Sequence, residues 1–478
     1  MIRGGKARLC RLWVAFCVSS GATILMAQAT KPLPDAPASQ VFLAQNGQLN
    51  MQPGANQPAT PQPNPQGGAQ HPQLTRADAE QMAIKNNPRV SVARLLALAQ
   101  HQVVRETRAA ELPTATGSIT AVEAEDATRI SAGSLTASRL FTHAGAGGGF
   151  DQLLWDFGRT RNLVASSKLG EKAQDAAALA TTEDIVLATD QAFYNVLQSQ
   201  ALLNVARQNV ATRQTTDTQV SEMTKNKLKS TLDLSFADVN LSQAKLLLLD
   251  AQNNADSTMA ALDAVLGLDH LVTYDLLESN AAAQPPPADP DQLIQLGLQQ
   301  RPDLQQLNYS QQSAVKFSRA QRDQMFPSIT AAGSAGSVPI RPDQYYVANW
   351  WGGIGVNMNI PIFNGFLYSA QAKEAALRAR AASEHSRDLR DQIVRDIRTS
   401  WLAANTAFQR VAVTAELLKE ADLALTLAQT RYQMGLSSIV ELSQAQYQQT
   451  DAAIGNTNAQ YQYKLALATL NYQIGATP

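Results

Sequence analysis

Two stretches of this chain are helical in pattern, free of proline and far too long for an ordinary globular domain. From about Arg161 to Lys225 there is no proline and only Gly170. At 1.5 Å per residue, such a helix extends about 100 Å. The apolar positions that follow keep a 3-4 register: Leu234, Ala237, Leu241, Ala244, Leu248, Ala251, Ala255, Thr258, Leu262 and Val265. A second run reads Ile397, Trp401, Ala404, Phe408, Val411, Ala415, Leu418, Asp422 and Leu425. Spacing of this kind, held over several heptads, lays a seam along one helix face for knobs-into-holes packing. Alanine at many seam positions lets helices approach closely, and Asp422 interrupts the second seam.

The long segments belong to a unit written twice. Asn87-Pro88 returns as Arg301-Pro302, and Leu112-Pro113-Thr114 as Phe326-Pro327-Ser328, each 214 residues later. Asp156-Phe157-Gly158 matches Phe363-Asn364-Gly365 at 207, Tyr194 matches Trp401, and Leu232-Asp233-Leu234 matches Val440-Glu441-Leu442 at 208. The organisation expected is a first repeat at 73–283, a Pro-rich joint at 284–290 and a second repeat at 291–478. Each copy reads as a helix, two strands and two very long helices.

Ahead of the repeats, Arg3, Lys6, Arg8 and Arg11 precede a mostly apolar stretch from Leu12 to Met26, closed by Ala27-Gln28-Ala29. This is the layout of a secretory signal peptide over residues 1–29. The rival is an uncleaved anchor; interruption by Ser19, Ser20 and Gly21 favours cleavage. Bulky Phe16 disfavours lipidation at Cys17. Cleavage would remove both cysteines, Cys10 and Cys17, and leave 35 bases against 40 acids, a net charge of −5. Residues 30–72 hold nine of the 21 prolines and read as a disordered, Pro/Gln-rich linker.

Four strand candidates follow from the repeat: Thr114–Ala124, Ala146–Trp155, Ser328–Val338 and Ile354–Ile362. Only the last alternates cleanly, with Ile354, Val356, Met358, Ile360 and Ile362 on one side and Gly355, Asn357, Asn359 and Pro361 on the other. Nine residues is the length of a transmembrane β-strand, and Trp350, Trp351, Phe363 and Phe366 flank it as interface aromatics would. A strand of a soluble sandwich fits the same pattern. Under the membrane reading, four strands cannot close on themselves, because lipid tolerates no open sheet edge. Several copies must then pool their strands.

Chemistry is absent from the pattern. His71, His101, His143, His270 and His385 have no metal-ligand spacing, and there is no nucleophile elbow or Walker A loop. Gly145–Gly149 lacks a following Lys-Ser/Thr and reads as a flexible strand entry. No cofactor and no enzyme activity are expected. Charged residues make up 17% of the chain, below the roughly 25% usual for soluble domains. With no long Lys/Arg tract, nucleic acid is excluded as the main partner. No second long apolar run follows the N-terminus, which excludes a polytopic helical membrane protein.

Taken together, the leader, the duplicated strand pair with long helix pair, and the Ala-rich seams resemble the TolC-type outer-membrane efflux proteins. The sharpest match is Arg431-Tyr432-Gln433-Met434-Gly435-Leu436-Ser437-Ser438-Ile439-Val440-Glu441-Leu442, similar to the family's Tyr-x-x-Gly-x-x-x-x-Val-Asp/Glu-Leu run at a helical turn. The resemblance covers about residues 73–475. It implies a homotrimer with a 12-stranded β-barrel in outer-membrane lipid, continued by a 12-helix α-barrel in the periplasm. Such a tunnel passively conducts substrate from an inner-membrane pump through a periplasmic adaptor. It further implies that Gly435 and Leu436 dock the adaptor, that Glu441 projects into the aperture, and that Tyr432 and Asp233 form a hydrogen-bonded pair closing it. Gln444 replaces a second aperture acid, Ser437 a gate arginine, and Lys227 the tip glycine of the first copy. The competing class is a periplasmic coiled-coil adaptor or scaffold without a pore.

Overall fold

The computed structural model describes residues 72–476 apart from 124–128, 131–137, 140–141, 271, 279–283, 288 and 341–348. The leader at 1–29 and all of the 30–72 linker but Pro72 lie outside the described residues. The fold is mainly helical with a small β part. In chain order the elements are β1 (Gln73–Thr75), α1 (Arg76–Asn86), α2 (Pro88–Ala109), β2 (Thr114–Val122), β3 (Arg129–Ile130), β4 (Ser138–Arg139), β5 (His143–Trp155), α3 (Arg159–Lys225), α4 (Thr231–Leu266) and β6 (Asp275–Leu277). The pattern then repeats as α5 (Pro290–Gln300), α6 (Pro302–Asp323), β7 (Ser328–Ile340), β8 (Trp350–Asn359), α7 (Leu367–Gln433) and α8 (Ile439–Gln473).

The duplication is exact in length for most elements. Helices α1 and α5 have 11 residues each, α2 and α6 have 22, and α3 and α7 have 67. The offset is 214 up to the strands and 208 along the long helices. At 208 the strand-to-helix turn pairs Phe157-Gly158 with Gly365-Phe366, and Phe193 with Trp401, one position from the match expected at 207. All four turn residues have positive φ, so the glycine has changed places while each copy keeps a phenylalanine in the left-handed region. Pro88 and Pro302 open their helices where a missing N–H costs nothing.

Strands β2, β5, β7 and β8 form one antiparallel sheet in that order. Opposite partners share a face, so the register sorts the side chains. Ile119, Phe150, Ile329, Ile354, Val356 and Met358 lie on one side; Thr114, Thr116, Ser118, Thr120, Ser334, Asn357 and Asn359 lie on the other. Of the strands that alternate poorly by hydropathy, β2 and much of β7 thus alternate Thr/Ser against Ala, Gly and Ile. Strand β8 ends at Asn359 instead of Ile362, because Pro361 has no N–H for the ladder. The parallel pair β1–β6 carries no hydropathy signal and went unexpected.

Three apolar clusters hold the helices. One joins Ala79 and Ala83 of α1 to Phe193, Val196, Leu262 and Leu266; a second joins Leu293 and Ile294 to Ile393, Ile397 and Leu470. The third sits at the hairpin ends. The α7 seam passes through Val411, Thr414, Leu418, Ala421, Leu425 and Ala428, half-buried or buried. Thr414 and Ala421 take the places expected of Ala415 and Asp422, which are both exposed, and Asp422 accepts from Gln449 at 3.0 Å.

Helices α4 and α8 stop at Gly267 (φ +75°) and Gly475 (φ +69°), again 208 apart. A Cβ at Gly267 would lie 2.8 Å from the backbone oxygen of Asn86, whereas one at Gly365 (φ +64°) meets open space. Gly267→Ala is expected to cost about 3 kcal/mol or more, left-handed strain plus a clash with rigid backbone, and Gly365→Ala only about 1 kcal/mol. Chemical unfolding of the detergent-solubilised protein, followed by tryptophan fluorescence, checks the difference.

Candidate functional site: the tips of the helical hairpins

The two tips have one backbone design and different side chains. In the second hairpin Leu436 N–H donates to Arg431 O (2.8 Å) and Gly435 N–H to Tyr432 O (3.0 Å). This is a Schellman end with glycine in the left-handed position (φ +75°). In the first, Leu228 donates to Met223 O (2.8 Å) and Lys227 to Thr224 O (3.0 Å), with Lys227 itself at φ +61°. The lysine keeps the turn against left-handed strain of about 1–2 kcal/mol. Leu436 and Leu228 are both exposed.

The returning helices begin at Ser230 and Ser438, whose hydroxyls accept the amides of Asp233 (3.1 Å) and Glu441 (3.3 Å). Here the copies diverge. Asp233 completes a capping box by taking the Ser230 amide at 3.2 Å. Glu441 instead pairs with Arg431, Nε to Oε1 3.1 Å, at a half-exposed position.

The Tyr432 ring is buried among Val220, Ala237, Ile439 and Leu442, so it ties both hairpins into one cluster. Lys229 Nζ lies 4.4 Å from its centroid. Its hydroxyl is buried and, among the described residues, has no hydrogen-bond partner. Tyr432 and Asp233 are close enough that the carboxylate, after burial, raises the phenol's pKa. The hydrogen bond expected between them is nevertheless absent, because Asp233 is committed to Ser230. Gln444 is exposed, and Ser437 Oγ is buried without a partner.

Above the tip, polar side chains close the seam between α3 and α8. Buried Arg213 donates through Nη1 to Gln446 Oε1, and Gln446 Nε2 donates to Thr216 Oγ1 at 2.9 Å. Thr450 Oγ1 donates to Asn209 Oδ1 at 3.2 Å, and Gln198 Nε2 to Asn458 Oδ1 at 2.7 Å. Burial lowers the Arg213 pKa, but a guanidinium keeps its charge. Among the described residues no carboxylate pairs with it, so neutral amides carry the cation. Sequence reasoning missed Arg213 because a lone arginine in a long helix reads as solvated. Its signal was position, twelve residues before the end of α3 at Lys225.

At the strands, the register separates the two tryptophans. Trp350 shares the face of Ile354 and Val356, while Trp351 lies on the Thr/Ser face with its indole across Gly336 and Gly147. Phe363 stacks edge-on to Phe366 (5.7 Å) at the helical end of the sheet. Trp155, Phe157 and Phe326 join that end with contacts of 6.1 and 5.6 Å, a continuation that sequence reading did not collect. Among the described residues no group of acids, histidines or cysteines is arranged to hold a metal.

Residues 293–476 match the family described as outer membrane efflux protein. The chain is similar to outer membrane protein TolC of Vibrio cholerae, 25% identical over 69% of this chain and 76% of the relative. The outer membrane efflux protein BepC of Brucella suis is 24% identical over 76% and 77%. In fold it is similar to solved CusC (TM-score 0.75, 19% identity, 88% of this chain and 99% of that one). VceC of Vibrio cholerae gives 0.72 at 18% identity, covering 84% and 96%. The likeness is thus to the TolC-type outer-membrane efflux proteins, by family match over the second repeat and by fold over most of the chain.

Two substitutions separate the contributions at the tip. Gln446→Ala strips buried Arg213 of its Nη1 acceptor, leaving only the Nε bond to Asn209, and should cost about 2 kcal/mol, or roughly 30-fold faster amide exchange in α3 around Arg213. Tyr432→Phe removes only an unpartnered hydroxyl, so exchange at the tip should be unchanged or slower.

Proposed function

We propose that this chain is the outer-membrane channel of a tripartite efflux or type I secretion system. It passively conducts substrate delivered by an inner-membrane pump and a periplasmic adaptor to the exterior. Its relatives among outer-membrane efflux proteins support this reading, and the rival soluble adaptor gives no account of a sheet with an exposed apolar face.

The observation that carries the reading is a set of contacts made once that the duplication calls for twice. Within the chain the repeats meet where β5 pairs β7, where α3 packs on α6, and where α3 packs on α8. The counterparts, β8 with β2, α7 with α2 and α7 with α4, need a second copy. The faces concerned are open: β2 and β8 are the edges of the sheet, and Val92 and Leu96 of α2 are exposed where their α6 equivalents, Gln306 and Ser310, are half-buried. Head-to-tail repetition of one interface closes a ring. Three copies supply twelve strands and twelve long helices, a β-barrel in outer-membrane lipid continued by an α-barrel in the periplasm. The Ile354 face then meets lipid, with Trp350 and Phe363 at its two borders, and Trp351 faces the lumen.

At the periplasmic end, exposed Leu436 beside Gly435 offers the adaptor an apolar knob on a rigid turn. Glu441 stands in the aperture ring but is neutralised by Arg431, so the ring is electrically mild. Tyr432 and Asp233 act there through packing and capping, and separation of the hairpins breaks the polar α3–α8 seam.

The duplication also sets the register between copies. Carrying the β5–β7 pairing onto β8 and the next β2 puts Met358 opposite Ile119. Ile119→Cys with Met358→Cys, in a chain whose other cysteines are Cys10 and Cys17, should oxidise to a covalent trimer in isolated outer membranes. A soluble, uncrosslinked monomer would overturn the channel reading. In planar bilayers, Glu441→Ala should shift the reversal potential toward anion preference and Arg431→Ala toward cation preference. Unchanged selectivity in both would remove the pair from the conduction path.

A further inference from the structure

Where α1 lies on α3, two carboxyls are buried with one guanidinium between them. Arg76 Nη1 is 2.8 Å from Glu80 Oε1 and donates to Asp190 Oδ2 at 3.0 Å. Glu80 is 6% exposed and Asp190 5%, whereas the Arg76 side chain is 45% exposed. Glu80 Oε1, ion-paired with Arg76 but not hydrogen-bonded to it, and Asp190 Oδ1 are both buried and make no hydrogen bond. One cation for two buried anions leaves a charge uncompensated, which costs several kcal/mol unless a proton is taken up.

The second copy shows that the fold itself has no need of these groups. At the same offsets Ile294 replaces Glu80, Pro290 replaces Arg76 and Arg398 replaces Asp190. Ile294 is buried against Ile393 and Ile397. The acid pair is an addition to one of two otherwise equivalent joints.

We propose that Glu80 holds a proton that it donates to the Asp190 carboxylate, making the docking of α1 on α3 a joint that is tight in mildly acidic surroundings and loosens in alkaline ones. The groups that face it are few. Helix α1 contributes Arg76 and Glu80, and α3 contributes Asp190 and Tyr194. Helix α4, also packed on α1, contributes Leu262 and Leu266, and its one buried acid, Asp263, takes the Val272 amide at 3.1 Å. Burial first, then the hydrogen bond to Asp190, lift the Glu80 carboxyl from 4.5 to about 7. A carboxyl raised in the folded state stabilises fully below its unfolded value and loses that contribution as pH climbs through the folded one. Loosening therefore falls between about pH 5 and pH 8.

The test is hydrogen exchange of residues 76–86 in the detergent-purified full chain, corrected for intrinsic rates, at pH 5.5, 7.0 and 8.5. Wild type should open about tenfold more readily at pH 8.5 than at 5.5. Glu80→Gln, which keeps a donor to Asp190 without a titrating proton, should be flat across the range. The segment 290–300, with Ile294, should be flat in both and serves as an internal control. Equal pH dependence in Glu80→Gln, or none in wild type, would overturn the proposal. If that variant fails to fold, Asp190→Asn must abolish the dependence in its place. Neither outcome bears on channel activity.

Discussion

Every unpaired backbone group in hydrocarbon costs several kcal/mol, and the four-stranded sheet of this chain has two open edges. The rest of the architecture answers that constraint. Because the sheet is half of a duplicated pattern, its free edges are the two sides of a contact it already makes internally between β5 and β7. The same holds for the long helices below. A single interface, learned once within the chain, is used again between copies in the proposed ring, and no separate association surface has to be invented.

Much of this was legible in the sequence because it is repetitive or periodic. Proline pairs at helix starts, the Gly435/Lys227 turn and the 3-4 seams are local signals with local causes. What escaped had non-local causes. The β1–β6 pair is three residues long on each side and takes its register from the packing of Leu74 and Tyr274 into the core. The seam slip to Ala421 cannot be read from a pattern in which Ala415 and Ala421 are equally acceptable. Strands such as Thr114–Val122 hid because threonine is scored near neutral, although on this sheet it behaves as the polar partner of Ala and Ile.

The tip residues show the limit of inference by matched position. Asp233 and Glu441 stand at one place in the repeat, three residues after a serine that caps the helix, yet the family resemblance implies a different role for each. Arg431, on the adjacent helix end, captures the longer glutamate, while aspartate is too short to leave its own cap. The expected Tyr432–Asp233 bond fails for that reason. In its place the hairpins are joined by a buried aromatic ring and by an arginine held on amides, neither of which any short motif announces.

Divergence between the copies is therefore the most informative property of the molecule. The paired helices keep their lengths to within one residue, 36 against 35 for α4 and α8 being the one difference. Side chains differ where symmetry would be a disadvantage. Arg213 is answered by Ala421, Gln446 by Asp238, Lys227 by Gly435 and Glu80 by Ile294, so in the proposed ring the α7–α4 seam between copies has no counterpart of the Arg213–Gln446 bond that latches α3 to α8. A wall built of identical seams would yield everywhere at once. One with two kinds of seam has a defined place to open and a defined place to hold, and the duplicated frame lets that difference arise from a handful of substitutions.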